Sequence, residues 1–288
     1  MEISRIIIQL IDGVSRGMIY FLLAAGLTFI LGVLNVVNFA HGTFYMLGIF
    51  LSYTLISKFG FWISFLLVPV SLAIVGGVSE ILLFRKVYKS GHLMQILLSF
   101  GVTYIISDAI RLLWGIRPVS VSMPSFFRGM YRMGDIILVK YNLFIILMTA
   151  LFAAALFLFV YKTKIGSIVR ACSYDLEMTE SVGINAKQIF MLVFMTGTAM
   201  AGMAAHIAAP IVTGILGMDG SMIQIAFALV IIGGIGSIEG ALIAALLIGI
   251  IEVFGVTLLP GYSDLIPFAI VIIVLTLKPS GLMGKNYS

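Results

Sequence analysis

Charge is what this 288-residue chain has least of. Asp, Glu, Lys and Arg make up 10% of it against 61% hydrophobic residues, where a soluble domain carries roughly a quarter charged residues. That shortage excludes an ordinary water-soluble fold and makes the chain an integral membrane protein with several helical spans. Cysteine is nearly missing as well. With Cys172 alone, no intramolecular disulfide and no cysteine-built metal cluster can form. The net charge is +5, yet no run of five or more basic residues offers a nucleic-acid patch. The cations sit in short loops between apolar runs, where anionic lipid headgroups are their partners.

Catalytic motifs are lacking too. The sole Gly-Lys pair, Gly284-Lys285, is followed by Asn286 near the end, so there is no phosphate loop of the Walker type. There is no His-Glu-x-x-His, no Ser-His-Asp set and no Arg-rich voltage-sensing helix. The chain is expected to be no enzyme, to hold no cofactor or metal, and to leave any ATP-driven work to a partner. No small-residue cleavage site follows the short N-terminal run that Asp12 interrupts, so the first span is expected to be retained. The largest loops, 114–141 and 162–187, are each under 30 residues. A single membrane domain over 1–288 is the economical reading.

What is there begins with Gly17–Ser57, 41 residues without Asp, Glu, Lys or Arg. A helical span takes about 20 apolar residues, so this stretch holds two. Between them lies Asn35-Val-Val-Asn38-Phe39-Ala-His41-Gly42. Polar side chains and irregular backbone persist at membrane depth only where protein surrounds them or a watery cavity adjoins them. Further charge-poor segments fall at about 62–84, 93–113, 142–161, 188–209, 222–234, 241–258 and 264–277. The pieces at 43–57, 222–234 and 264–277 reach only roughly 20 Å, which suits half-helices or re-entrant pieces. The expected fold is an all-α polytopic bundle of eight or nine crossings with broken or re-entrant helices. Arg85, Lys86 and Lys89, with no acid beside them, favour the cytoplasm for their loop. Alternation then puts 162–187 and the tail after Lys278 inside and 114–141 outside, although the overall Lys/Arg bias is slight.

Three segments are candidates for function. Asn35–Gly42 reads as a helix break that lines or gates a passage, since discontinuous helices expose helix ends and free backbone groups to a polar cargo. Asn38 and His41 serve equally well as buried packing contacts. Gly233-Gly234-Ile-Gly236-Ser237-Ile-Glu239-Gly240 has four glycines in eight residues, which permits sharp turns and close backbone approach. Its place in the second half, matching Asn35–Gly42 in the first, is what two related halves would give. In 162–187, apolar residues recur at helical spacing among polar ones, which predicts an amphipathic helix stopped near Gly183 and Asn185. It suits either a helix on the membrane surface or a coupling helix whose polar side docks on another protein. Asp108 and Arg111 are spaced to pair on a helix. Glu80 and Glu252 are expected to reach the interface, and His206 to be a buried, satisfied imidazole.

Gly32-Val-Leu-Asn-Val-Val followed by Asn38-Phe-Ala-His-Gly42 resembles the inner-membrane permeases of branched-chain amino-acid ABC transporters, the LivH-like family. Gly13-Val-Ser-Arg-Gly-Met-Ile-Tyr20 is similar to that family's first span, and Gly166–Asn185 and Gly233–Gly240 to its coupling segment and late glycine loop. Glu239 departs from the pattern, where an uncharged residue, often proline, is expected. The resemblance implies a multi-pass inner-membrane subunit of an importer. Its partners would be a second, homologous permease chain, two cytoplasmic ATPases that bind ATP and Mg, and an extracytoplasmic substrate-binding protein. It also supports 162–187 as cytoplasmic. Pathway or gate residues would be Asn35, Asn38, Phe39, His41, Gly42, Gly233, Gly234, Gly236 and Ser237. Coupling residues would be Gly166, Arg170, Asp175, Glu177 and Gly183. Relatives carry leucine, isoleucine and valine, or urea, amides and aromatic acids. The alternative, an autonomous secondary transporter or channel, needs a coupling-ion site, and its candidates Asp108, Glu239, Glu252 and His206 are scattered in sequence.

Overall fold

Long apolar segments satisfy their backbone polar groups in lipid only as helices or closed barrels, and here they are helices. The computed structural model describes residues 2–88, 90–258, 261 and 265–284; Lys89 and Lys285, which entered the charge reading above, lie outside them. Among the described residues the α-helices are α1 (Glu2–Leu34), α2 (His41–Leu82), α3 (His92–Trp114), α4 (Lys140–Lys162), α5 (Lys164–Tyr174), α6 (Leu176–Ser181), α7 (Ala186–Ala208), α8 (Met218–Gly233), α9 (Ile238–Leu258) and α10 (Ile266–Leu277). Six of them are long and apolar enough to cross a membrane, and α8 and α10 are shorter apolar pieces. The only strands among the described residues, β1 (Met130–Met133) and β2 (Ile136–Val139), form an antiparallel hairpin.

The two ends of the bundle are distinct. At one, α5 and α6 follow α4. At the other, the β1–β2 hairpin leads into α4, the Tyr141 hydroxyl donates to Ile207 O at 2.8 Å, and Asn142 donates to Asp12 at 2.6 Å. Helix α1 is the most enclosed span. It packs along α9 through glycines: a Cβ on Gly13 would meet the backbone of Ile250, and one on Gly17 that of Ala245 and Leu246. Small residues at such crossings let helices approach closely where lipid offers no hydrophobic drive.

Helix α2 is really two arms. Gly60 has φ 77°, ψ 169°, a conformation open to glycine, and the chain doubles back there. Gly48 in the first arm faces Gly202 and Ala205 of α7, whereas Gly202 also faces Pro69 and Leu72 of the second arm. Further along, Gly76 meets Thr198 and Gly77 meets Met195. Helix α7 is thus held between arms 41–59 and 61–82, the first running parallel to it and the second antiparallel.

Two expectations about charged residues change. Asp108 and Arg111 are both exposed on α3 and form no ion pair; among the described residues the ion pairs are Arg16–Glu252 at 2.7 Å and Arg85–Glu80 at 2.6 Å. Glu80 does not reach the interface but is fully buried, bound by Arg85 and by the Tyr88 hydroxyl at 3.0 Å. Burial pushes the Tyr88 phenol above its ordinary pKa, and the Glu80 charge adds to it. Arg85 also donates to Lys187 O at 3.3 Å, so the knot ties the end of α2 to the start of α7. Removing one partner of a buried pair costs about 3–5 kcal/mol. Arg85→Ala, which leaves the buried Glu80 carboxylate without its cation, is therefore expected to lower the thermal unfolding midpoint of the detergent-solubilised protein markedly; an unchanged midpoint would mean that the knot contributes nothing to stability.

Candidate functional site

The break after α1 is built by its asparagines. Asn35 is the one non-glycine residue with positive φ among the described residues (52°), and its N–H reaches Leu31 O at 3.0 Å. Asn tolerates the left-handed region better than other side-chain-bearing residues, so it ends α1 as a helix C′ residue. Asn38 then turns the chain: its Oδ1 accepts the Ala40 N–H at 3.0 Å, and its O accepts from His41 N at 3.4 Å. His41, fully buried, donates from Nε2 to Leu23 O at 3.0 Å. Leu23 lies eleven residues before the end of α1, so 35–40 climbs roughly 16 Å back along that helix before α2 begins.

That level is the middle of the bundle. A Cβ on Gly26 would meet both Gly197 O and the His41 ring, and Gly197 is the central residue of α7. Thr43 Oγ1 lies 3.2 Å from the Oγ1 of Thr103, the central residue of α3. The first arm of α2 therefore starts at mid-depth and runs toward the hairpin end.

A second break meets it there. After α7 the chain turns back through 209–217, held by the antiparallel bridge between Val119 and Gly214, and α8 starts beside Gly42. A Cβ on Gly42 would collide with Asp219 O and come within 2.9 Å of Ile223 Cβ. Thr43 donates to Asp219 Oδ2 at 3.1 Å. Helix α8 then runs from mid-depth toward the α5 end, opposite in direction to the first arm of α2. Long helix, irregular stretch, half-helix: α1 with α2 and α7 with α8 repeat that order in inverted sense, as discontinuous helices around a transporter midplane do.

Below this meeting point, on the α5 side, lies an aromatic layer. Phe39 stacks on Phe100 of α3 with centroids 5.1 Å apart and packs at a 43° tilt against Phe227 of α8 at 4.8 Å. Phe100 is one turn from Thr103 and Phe227 two turns from Asp219, both toward the α5 end. Asn35 is exposed and Phe39 half-buried, whereas Asn38 and His41 are completely enclosed. Asn38 Nδ2 and His41 Nδ1 have no hydrogen-bond partner among the described residues. Their geometry shapes the break, while Phe39 and Asn35 face its open side.

The glycine loop sits one level lower. Gly233 and Gly240 are in backbone contact, Gly234 and Gly236 have φ 100° and 80°, and Ser237 Oγ accepts the Gly240 N–H at 3.0 Å to start α9. Gly32 approaches Gly236 closely, so the loop touches the last turn of α1 rather than Gly42. Leu282 and Met283 donate to Ile232 O and Gly233 O at 2.7 and 2.9 Å. Glu239, the departure noted above, accepts from the Tyr161 hydroxyl at 2.7 Å.

The segment after α4 is two helices, not one. Asp175 leaves helical geometry (φ −152°), ends α5, and caps α6 by accepting the Met178 N–H at 2.9 Å. A single hydrophobic periodicity runs through both, which is why spacing alone joins them. Gly166 lies against the carbonyls of Phe159 and Val160, and Arg170 donates to Val160 O and covers the Tyr161 ring at 5.3 Å. Those two residues fasten α5 to α4. Gly183, with φ 87°, closes α6, and Asn185 caps α7 rather than stopping α6. The exposed acids are Asp175, Glu177 and Glu180, among exposed Tyr174, Met178 and Val182. Cys172 is buried beneath them, and burial raises its thiol pKa.

Asp219, Thr43 and Thr103 were not singled out by sequence reasoning. The signal was Gly217-Met-Asp219-Gly-Ser221, a polar cluster between apolar runs that reads as a loop boundary. His206, expected to be satisfied, places Nδ1 3.2 Å from Ser52 Oγ, while its Nε2 has no partner among the described residues.

Residues 9–275 match the family model described as branched-chain amino acid transport system / permease component. The chain is 32% identical to the high-affinity branched-chain amino acid transport system permease protein LivH of Salmonella typhimurium, over 96% of this chain and 95% of that protein. It is 29% identical to the corresponding BraD protein of Pseudomonas aeruginosa, over 99% and 97%. It is 28% identical to a probable branched-chain amino acid transport permease protein LivH of Methanocaldococcus jannaschii, over 92% and 89%. No solved structure matches the chain.

Proposed function

Because this chain belongs to the branched-chain amino acid transport permease family, we propose that it is one of two permease chains that carry branched-chain amino acids, or related small polar solutes, through an ATP-driven importer. It is a multi-pass inner-membrane transport component and not an enzyme. The observation that carries the reading is the meeting of two oppositely directed half-helices at mid-depth, with the Phe39–Phe100–Phe227 layer closing the α5 side. Cargo delivered by an extracytoplasmic binding protein enters from the hairpin end, pauses beside Gly42, and passes when Phe39 moves. The α5 end faces the cytoplasm. There two ATPase subunits bind ATP and Mg and dock on α5 and α6, and this chain needs no cofactor of its own. Membrane lipid surrounds the bundle, and nucleic acid has no part.

Rigid attachment of α5 to α4 by Gly166 and Arg170 gives a docked ATPase a lever on the spans. Glu177 is the cleaner test of docking, since Asp175 already serves as a helix cap. In proteoliposomes with all subunits present, ATP-driven uptake of L-leucine is expected, and Glu177→Lys is expected to reduce ATPase co-purification and uptake together by about tenfold, as loss of an interfacial charge contact allows. Uptake by this chain alone, driven by an ion gradient and indifferent to ATP, would sink the proposal.

A further inference from the structure

Helix α4 leaves a gap beside α7. Toward the hairpin end, rings hold it to the second arm of α2, Phe144 against Phe61 at 5.9 Å and Phe152 against Phe65 at 5.8 Å. At its other end Gly166 and Arg170 fasten it to α5. Between these ties lies a cavity of about 370 Å³, within the roughly 300–1,000 Å³ of small-molecule sites. Its floor is Leu22 of α1, and its walls include Leu156 and Phe159 of α4, Pro69 of α2, and Met200 and Met203 of α7. Ala155 on the α4 wall and Ala199 on the α7 wall are too small to fill it. Ala155 is exposed, with exposed Leu151 and Leu158 a turn to either side of it, so the cavity opens on the outside of the bundle. Leu22 adjoins Leu23, whose carbonyl marks mid-depth, and Phe159 lies one turn before the end of α4. The cavity therefore occupies the half of the membrane on the α5 side.

Among the described residues that line it, Thr196 alone carries an oxygen or nitrogen in its side chain, and its hydroxyl donates to Leu192 O at 2.8 Å. No lining side chain is left to hold water. Apolar cavities stay dry, and an empty one forfeits dispersion contacts along its whole lining. The medium at its mouth supplies what fits, a hydrocarbon chain. Lys162 adds a charge at the α5 end of the mouth. It shares a face of α4 with Ala155 and Phe159, seven and three residues before it. Lys162 and Lys164 are both exposed, and neither forms an ion pair among the described residues. The geometry points to a site for one anionic phospholipid, with an acyl chain in the cavity between α4 and α7 and the phosphate against Lys162 and Lys164. The site requires that the bundle span a membrane and is independent of the cargo.

The test uses the full chain in detergent, alone and in the assembled importer, with dioleoylphosphatidylglycerol or dioleoylphosphatidylcholine added. Native mass spectrometry counts the lipids retained. Wild type is expected to keep one phosphatidylglycerol in both settings, and its thermal unfolding midpoint to rise as that lipid is added. Ala199→Phe fills the cavity and should lose the bound lipid. Ala155→Phe blocks the exposed mouth and should lose it too, at a position where the fold is not strained. Lys162→Gln should still bind a lipid but lose about fivefold in preference for phosphatidylglycerol over phosphatidylcholine. Wild-type retention in both phenylalanine variants overturns the cavity as the site. Equal retention of the two lipids by wild type overturns the anionic headgroup. Lipid that binds the free chain and is lost on assembly would give the cavity to the second permease chain and overturn the proposal.

Discussion

Gly42→Val is expected to stop transport while leaving the chain inserted and assembled. A side chain at this position would drive its Cβ into Asp219 O and within 2.9 Å of Ile223 Cβ, forcing the two half-helices apart where they meet. Overpacking of this kind costs about 1–3 kcal/mol when it can be relieved. Here relief means backbone displacement, because Gly42 follows directly on His41, which is fixed to Leu23 O. A loss of about tenfold to a hundredfold in initial uptake rate follows if that displacement opposes one state of the cycle. Gly42→Ala should fall between valine and wild type. Gly101→Val is the matched control, since Gly101 is exposed on α3 with nothing within 4 Å of an added Cβ. Equal rates for Gly42→Val and Gly101→Val would show that the contact between half-helices does not constrain the cycle.

The first break was legible in the sequence because its residues violate the medium. Two amides, an imidazole and a glycine inside 41 uncharged residues have no place in a continuous lipid-facing helix. The roles of those residues were not legible. Asn35 acts through a backbone conformation and Asn38 through a turn, and neither leaves a periodic trace. The doubling-back at Gly60 showed only as two adjacent apolar segments. The short piece at 222–234 read as a half-helix or re-entrant segment, but where it begins and what it meets did not show, for a physical reason: Gly217, Asp219, Gly220 and Ser221 look like a surface turn wherever the chain is assumed to leave the membrane after α7. Only three-dimensional pairing reveals that the turn re-enters to mid-depth, with Gly42 as its neighbour. The glycine loop at 233–240, the partner that sequence symmetry suggested, instead packs against Gly32 at the far end of α1. Likewise the periodicity of 164–181 concealed the Asp175 cap that divides α5 from α6, since a one-residue interruption barely shifts the apolar face.

Phe39→Ala is expected to open the barrier rather than stop transport. The Phe39 ring is the one that bridges α3 and α8, touching Phe100 at 5.1 Å and Phe227 at 4.8 Å. Each aromatic pair contributes about 0.5–1.5 kcal/mol beyond its buried area. Losing both removes about 1–3 kcal/mol from the closed arrangement, and a two-state gate biased by that amount shifts its open population about five- to a hundredfold. The measurable result is ATP-independent leakage of preloaded leucine from proteoliposomes, with ATP hydrolysis continuing while net accumulation falls. Phe39→Tyr keeps the ring and should stay tight; Phe39→Leu keeps bulk without stacking and should leak to an intermediate degree. Wild-type tightness in both Phe39→Ala and the double variant Phe39→Ala/Phe227→Ala would mean that the barrier lies elsewhere. The next layer toward the α5 end is then the close packing of Gly236 on Gly32, and Gly236→Ala would be the variant that alters leakage. The contrast with Gly42→Val separates the two parts of the site: wedging the half-helices apart stops the cycle, and removing the ring beneath them uncouples it.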